Sequence, residues 1–285
     1  MSPKLLPRLR EAEHAVEAVD LPWNRYGIDP FGVSKRHLSE VLTAFGHAYR
    51  RYFRVRTHGI DNVPAHGRAM IVGNHSGGVA LDAAMIITSL LLDARVPRLA
   101  HGMAERFLAH MPFVSEWASR CGQLTGLPEH ARRLLEDERL LLVFPEGASG
   151  TAKLFGERHD LVRFGTGFVR LALETASPIV PVAFLGGGEA VPTVVNSYRL
   201  GRLLGVPYIP FTPYGLPVPL PVRLDILFGP PIRLEGDGSE NDEVIAEHVE
   251  LVRRRIAELY ALGRKYRQGD VTEAGLRSVL AKNAP

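Results

Sequence analysis

The sequence predicts an α/β fold: a mainly parallel central sheet flanked by helices, preceded by an N-terminal helical extension. Three observations carry this expectation. Short apolar runs at 69–72, 140–144 and 178–184 are bounded by glycine, proline or polar loop residues, as buried strands are. Segments of helical period lie between successive runs, the alternation that parallel strands and crossover helices produce. Two of the runs empty into loops rich in Asn, His, Gly, Pro and Glu, and ligands of parallel sheets collect beyond strand carboxyl ends. With 285 residues, 46% of them hydrophobic, the chain supports a full core. The expected division is a helical segment at 1–54, a candidate membrane-docking piece, and one compact α/β unit at 55–285.

Residues 1–26 are helical in pattern, and Asp29-Pro30-Phe31-Gly32 marks a turn. The next stretch carries Lys35, Arg36, Arg50, Arg51, Arg54 and Arg56 against the single acid Glu40. Leu38, Val41, Leu42, Phe45, Ala48, Tyr49 and Tyr52 fall on one stripe of the same predicted helix. Two readings stand for it: docking on an anionic membrane surface, or packing on the domain with the arginines solvated. A strand follows at 54–60, then the strand at 69–72, a helix at 82–94 with Asp82 as its N-cap, a strand at 97–103 and a helical segment at 105–120 broken near Pro112. Pro128 opens a charged helix at a favoured first-turn position. Beyond the strand at 140–144, a loop at 144–150 and the Phe164-Gly165-Thr166-Gly167 segment lead to a helix from 168, and then to the strand at 178–184. Gly186-Gly187-Gly188-Glu189 reads as a turn whose backbone can approach a phosphate or a pantetheine. Residues 206–222 read as a proline-rich loop with aromatic and apolar residues, suited to lipid contact or to roofing the core. A strand at 223–228, a Gly229-Pro230-Pro231 stop and a long helix at 239–266 complete the pattern, and the tail after Gly269 carries no signal.

The chemistry concentrates at the two loops. His75 follows the strand at 69–72, and Asp82 stands seven positions on, across Gly77 and Gly78. A neutral imidazole can take a proton from a hydroxyl while a carboxylate on its other nitrogen sets the tautomer and stabilises the imidazolium. Glu146 ends the run at 140–144 and faces the same sheet edge.

Together Asn74-His75-Ser76-Gly77-Gly78, Asp82 and Phe144-Pro145-Glu146-Gly147 resemble the glycerolipid acyltransferase family, over about 55–232 by the order of motifs. The resemblance implies an acyltransferase with His75 as general base and Asp82 orienting it. It also implies Asn74, Glu146, Gly147 and Ser149 around the substrate, where Lys153 or Arg163 stands near enough to substitute for a family arginine on an acceptor phosphate. No cofactor is implied; an acyl-CoA or acyl carrier protein thioester serves as co-substrate and a lipid hydroxyl as acceptor, in the setting of phospholipid biosynthesis. Two departures bear on this. Six residues, not the family's common four, separate His75 from Asp82. The Thr-Arg that usually follows the Glu-Gly pair is Ala148-Ser149, and the upstream glycine-rich block reads Cys121-Gly122-Gln123-Leu124-Thr125-Gly126 without arginine. Both family anchors for an acceptor phosphate are thus missing, which points to a neutral hydroxyl acceptor such as a mono- or diacylglycerol or a long-chain alcohol.

Other classes are bounded by composition. Cys121 is the only cysteine, the first residues lack the apolar core of a signal peptide, and an intracellular protein is expected, peripheral on the inner face of a membrane. No apolar window approaches the roughly 18–20 residues that span a bilayer. No nucleic-acid module appears, and no His/Cys/Asp cluster has metal-ligand spacing. A hydrolase using the same base on water stands second, since no GxSxG elbow is present. A non-catalytic lipid-binding protein stands third.

Overall fold

The computed structural model describes residues 6–104 and 114–281. Its strands are β1 (Arg56–His58), β2 (Ala69–Gly73), β3 (Ala100–Ala104), β4 (Gln123–Thr125), β5 (Leu140–Val143), β6 (Ile179–Leu185), β7 (Val195–Ser197), β8 (Ile209–Phe211) and β9 (Asp225–Phe228). Seven form one sheet in the order β1-β9-β6-β2-β5-β3-β4, and β7 pairs with β8 alone. β2 lies at the centre, parallel to β5 and β6, with all five of its residues buried. The pairing of β9 with β6 is antiparallel, and β1 follows β9 in parallel. The physical reason is the path of the chain: residues 186–224 return to the sheet edge that β6 left, so β9 starts where β6 ends and runs back.

The helices are α1 (Leu6–Glu17), α2 (Lys35–His47, continued by a π turn at Ala48–Tyr52), α3 (Leu81–Leu92), α4 (Val114–Arg120), α5 (Pro128–Glu136), α6 (Gly147–Thr151), α7 (Gly167–Glu174), α8 (Gly187–Ala190), α9 (Tyr198–Leu204), α10 (Asp242–Gln268) and α11 (Glu273–Ala281). Alternate β2 residues serve the two faces, as the strand period of two requires. Ala69 and Ile71 pack with Met85, Ile86 and Leu90 of α3 and with Tyr49 and Phe53. Met70 and Val72 pack with residues of α5, α7 and α10, among them Leu134, Val169 and Val252. Each such fully buried aliphatic side chain contributes about 1.5–3 kcal/mol relative to exposure.

Several local expectations change. α1 ends at Glu17 rather than running to 26; Pro22 holds Leu21 out of helical geometry, and the chain turns there. The apolar stripe of α2 is not a free face: Leu38 and Leu42 pack with Ala12 and Val16 of α1 and with Leu91 of α3, while Phe45, Ala48 and Tyr49 join the main core. The reading of this stripe as domain packing therefore holds. Asp29 and Arg139 form a buried ion pair that ties the segment before α2 to the start of β5. The segment at 147–151, read as loop, is the short helix α6. Residues 121–126 contain the edge strand β4, and the proline-rich loop contains β8. The tail forms α11, whose Leu276 and Leu280 are buried with Leu185, Leu227 and Leu259. Of the helix expected at 105–120, only α4 is described, and the break near Pro112 lies outside the described residues.

Candidate active site

β2 delivers its last residue, Gly73, with a side face closed by Val182: a Cβ there would lie 2.7 Å from the Val182 Cγ1. Asn74 then stitches the strand end to β6, its Nδ2 donating to the Phe184 carbonyl at 3.1 Å and its Oδ1 accepting from the Phe184 N–H at 2.9 Å. The Asn74 amide is thus spent on the sheet, and it positions the next residue, His75.

The longer loop brings His75 and Asp82 together. Gly77 and Gly78 take φ values of +87° and +74°, which L side chains rarely adopt, and the chain doubles back so that His75 Nδ1 meets Asp82 Oδ2 at 3.1 Å. Asp82 is not the N-cap of α3; it occupies the first turn, with Ala80 at the cap position. There its Oδ2 also accepts from the Ser76 N–H at 2.9 Å and the Ser76 hydroxyl at 3.1 Å, and its Oδ1 accepts from the Ala83 N–H at 2.8 Å. Asp82 is completely buried. Burial by itself raises its pKa, yet the adjacent His75, the hydrogen bond to it and the two backbone N–H donors outweigh that and hold it below the ordinary carboxylate value. With Nδ1 engaged by the carboxylate, the imidazole keeps a proton there and presents Nε2, which has no hydrogen-bond partner among the described residues. The ring stacks on Phe144, centroids 4.0 Å apart at 15°, and its side chain retains 11% exposure.

Glu146 and Lys153 form a second buried unit behind the histidine. Glu146 Oε1 accepts from the His75 backbone N–H at 3.2 Å, and Oε2 accepts from the Val162 N–H at 3.2 Å while pairing with the Lys153 ammonium. Lys153 also donates to the His75 carbonyl at 2.9 Å. Burial pushes the Glu146 carboxyl above its usual range, against the opposing pull of Lys153 and the Val162 N–H. Gly147, with φ +53°, turns the chain into α6, and Gly150 lets α6 pass the site: a Cβ there would stand 2.6 Å from the Glu146 Cβ and 2.7 Å from the His75 Cβ.

Asn74, His75, Asp82, Glu146, Gly147 and Lys153 thus cluster at the carboxyl ends of β2 and β5, while Ser149 and Arg163 lie exposed on the flanking segments. In the sequence Ser76 and Phe144 stand in the two motifs without a role, Gly150 only in the loop after Glu146, and Gly187 in a turn read as approaching a phosphate or a pantetheine. The structure sets Ser76 on Asp82, stacks Phe144 on His75, and packs Gly187 against Ser76, where a Cβ would fall 2.1 Å from its hydroxyl. Cys121 is buried, and burial raises its thiol pKa to about 11. Among the described residues no three His, Cys, Asp or Glu side chains are gathered as a metal ion requires.

Residues 54–185 match the model of the Acyltransferase family. An uncharacterized protein of Mycobacterium tuberculosis (strain H37Rv) is 35% identical over 216 residues, 73% of this chain and 60% of the relative. An uncharacterized protein of Mycobacterium leprae is likewise 35% identical over 216 residues, 73% of this chain and 59% of its own length. The chain thus spans about 60% of the length of these relatives. The crystal structure of the 1-acyl-sn-glycerophosphate (LPA) acyltransferase PlsC from Thermotoga maritima superposes with a TM-score of 0.53 at 19% identity, over 80% of this chain and 82% of that one. That likeness is one of fold.

Proposed function

From the premise that this chain belongs to the acyltransferase family, we propose that it moves a fatty acyl group from a thioester of coenzyme A or an acyl carrier protein to the hydroxyl of a lipid. The observation that carries this reading is the His75–Asp82 pair, with Nδ1 held by the carboxylate at 3.1 Å and Nε2 left to accept a proton. In the proposed reaction the acceptor hydroxyl gives its proton to His75 Nε2 as its oxygen attacks the thioester carbonyl. Asp82, ionised at neutral pH, stabilises the imidazolium that results. Collapse of the tetrahedral intermediate breaks the C–S bond, and the imidazolium returns the proton to the departing thiolate. No enzyme nucleophile is needed, in keeping with the buried, high-pKa Cys121.

The acceptor in this reading is a neutral glycerolipid hydroxyl or a related lipid alcohol. Ala148 and Ser149 stand where a phosphate-binding arginine would be expected, and the Lys153 ammonium is engaged by Glu146 and the His75 carbonyl. No helix among the described residues is long and apolar enough to cross a membrane. In this reading the protein meets its lipid peripherally, on the inner face of a membrane. Purified protein incubated with acyl-CoA tests the reaction. Acceptor-dependent thiol release supports transfer, acceptor-independent release makes the protein a hydrolase, and no release favours a lipid-binding role.

A further inference from the structure

We propose that the excursion joining β6 to β9, residues 186–224, is the surface by which this protein seats on an anionic lipid bilayer. The inference rests on the proposed action on lipid and adds the face that meets it. The observation is a concentration of exposed apolar side chains. Among the described residues fifteen large hydrophobics are exposed, and nine of them lie in this excursion: Val194, Val195, Tyr198, Leu203, Leu204, Tyr214, Leu216, Val218 and Leu220. Leu203 is 80% exposed, and Leu216 67%. Two more, Tyr52 and Phe155, are tied to the same excursion, Tyr52 by its hydroxyl on the Pro219 carbonyl at 2.7 Å and Phe155 by its N–H on the Thr193 carbonyl at 2.7 Å. Isolated exposed apolar residues are ordinary, whereas a gathered set marks a partner surface.

The exposure is built rather than incidental. Ser197 caps α9 by accepting from the Leu200 N–H, and Gly205 ends it at φ +72°. Gly201 brings the helix onto 206–208 so closely that a Cβ would lie 2.6 Å from the Tyr208 Cα. With that side of the short helix occupied, Tyr198, Leu203 and Leu204 remain outward. The hairpin of β7 and β8 supports α9, and the Tyr214 hydroxyl donates to the Val218 carbonyl at 2.9 Å, ordering the loop beyond.

Charge identifies the occupant. From Gly186 to Leu224 the one acid is Glu189, beside Arg158 and outside the exposed apolar stretch, there is no Lys, and the arginines are Arg199, Arg202 and Arg223, the last paired with Asp225. Arg199 and Arg202 stand exposed on α9 among the apolar residues, and exposed Arg54 donates to the Pro221 carbonyl at 3.1 Å. Exposed apolar groups mixed with arginine and free of acids fit the boundary of an anionic bilayer, where apolar side chains enter the interface and each arginine adds attraction to lipid phosphate. The excursion is also joined to the rim of the site. Val191 packs on Gly78 of the His75–Asp82 loop, and the Asn196 amide donates to the carbonyl of Ala152, next to Lys153. Seating there brings the His75 loop to the lipid.

The test is sedimentation of the whole chain with phosphatidylcholine vesicles, with and without phosphatidylglycerol, at low and raised salt. The expected result is binding that needs the anionic lipid and weakens with salt. Arg199→Gln/Arg202→Gln should weaken it about 25-fold, about fivefold per arginine. Leu203→Ser/Leu204→Ser should lower binding to the phosphatidylglycerol-containing vesicles at least tenfold, and Arg254→Gln/Arg255→Gln on α10 should leave it unchanged. Thermal melts establish that the variants are folded, as their exposed positions allow. Equal loss in the α10 variant, or full binding by Leu203→Ser/Leu204→Ser, overturns the assignment. So does a self-associating protein that ignores vesicles and becomes monomeric in Leu203→Ser/Leu204→Ser, since the face then belongs to a second copy. The transfer assay is independent: binding through these residues without acyl transfer sinks the proposed reaction and supports the docking face, while transfer without vesicle binding does the reverse.

Discussion

The ammonium of Lys153 donates to the carbonyl of His75 at 2.9 Å, so the backbone of the candidate base is held by a side chain 78 positions further along the chain. The same ammonium neutralises Glu146, which grips the His75 N–H. Lys153→Met leaves a buried carboxylate without its cation, and breaking such a pair costs about 3–5 kcal/mol. Urea denaturation should show the loss, and Glu146→Gln/Lys153→Met should recover more than half of it. An unchanged midpoint in Lys153→Met would mean that this strut does not support the fold.

His75→Ala is expected to lower acyl transfer by roughly two to four decades, the range for loss of a general base, with the far-ultraviolet circular dichroism of the wild type. Asp82→Asn should fall nearly as far, because an amide can neither favour the Nδ1-protonated tautomer nor stabilise an imidazolium. Wild-type turnover in His75→Ala would remove the histidine from the mechanism. Wild-type turnover in Asp82→Asn would reduce the 3.1 Å contact to a structural one.

Asp82 also predicts a pH dependence of stability. Its folded pKa lies below the ordinary 3.8, so its contribution is present above 3.8 and is lost as pH falls through the lower folded value. Glu146 has the opposite sign: its raised folded pKa gives a contribution present below 4.5 that disappears as pH rises through the folded value. Comparing wild type with Asp82→Asn cancels the Glu146 effect. The difference in unfolding free energy should be full at neutral pH and shrink below pH 3.8. A difference that stays constant down to acid unfolding would contradict the depressed pKa.

Gly150→Ala inserts a methyl between the Glu146 and His75 Cβ atoms, at 2.6 and 2.7 Å. Such overpacking costs about 1–3 kcal/mol, and displacement of either side chain should reduce activity as well. Gly156→Ala, where nothing lies within 4 Å, is the matched control and should stay within about 0.5 kcal/mol of wild type. Equal melting temperatures for the two variants would argue against the tight passage of α6.

Side-by-side acceptor assays should favour diacylglycerol, monoacylglycerol or a long-chain alcohol over lysophosphatidic acid and glycerol 3-phosphate. The arginine forks that suit a phosphate are missing at Leu124 and at Ala148-Ser149, and Lys153 is buried in its own ion pair. A clear preference for the phosphorylated acceptors would reverse this reading, and its loss in Arg163→Gln would then identify the exposed Arg163 as their anchor.

Elements with a strong local signal were legible from the chain alone. The apolar runs of β2, β5 and β6 are buried on both faces, and a central parallel strand declares itself by continuous hydrophobicity. The His75 and Glu146 loops follow from them, because a strand end and a glycine-rich turn are local features. Whether six intervening residues let His75 reach Asp82 depended on two positive-φ glycines and on the packing of Gly78 against Val191, more than a hundred positions away. Lys153 reads in sequence as a residue of the substrate site; only the fold buries it between Glu146 and the His75 carbonyl. The α2 stripe and the proline-rich stretch each admitted either packing on the domain or contact with lipid, and no periodicity distinguishes a face that packs from one left open. Tertiary structure decided it, covering α2 with α1 and α3 while Leu203 and Leu216 remained in solvent, because burial is set by which surfaces meet and not by the sequence of either one.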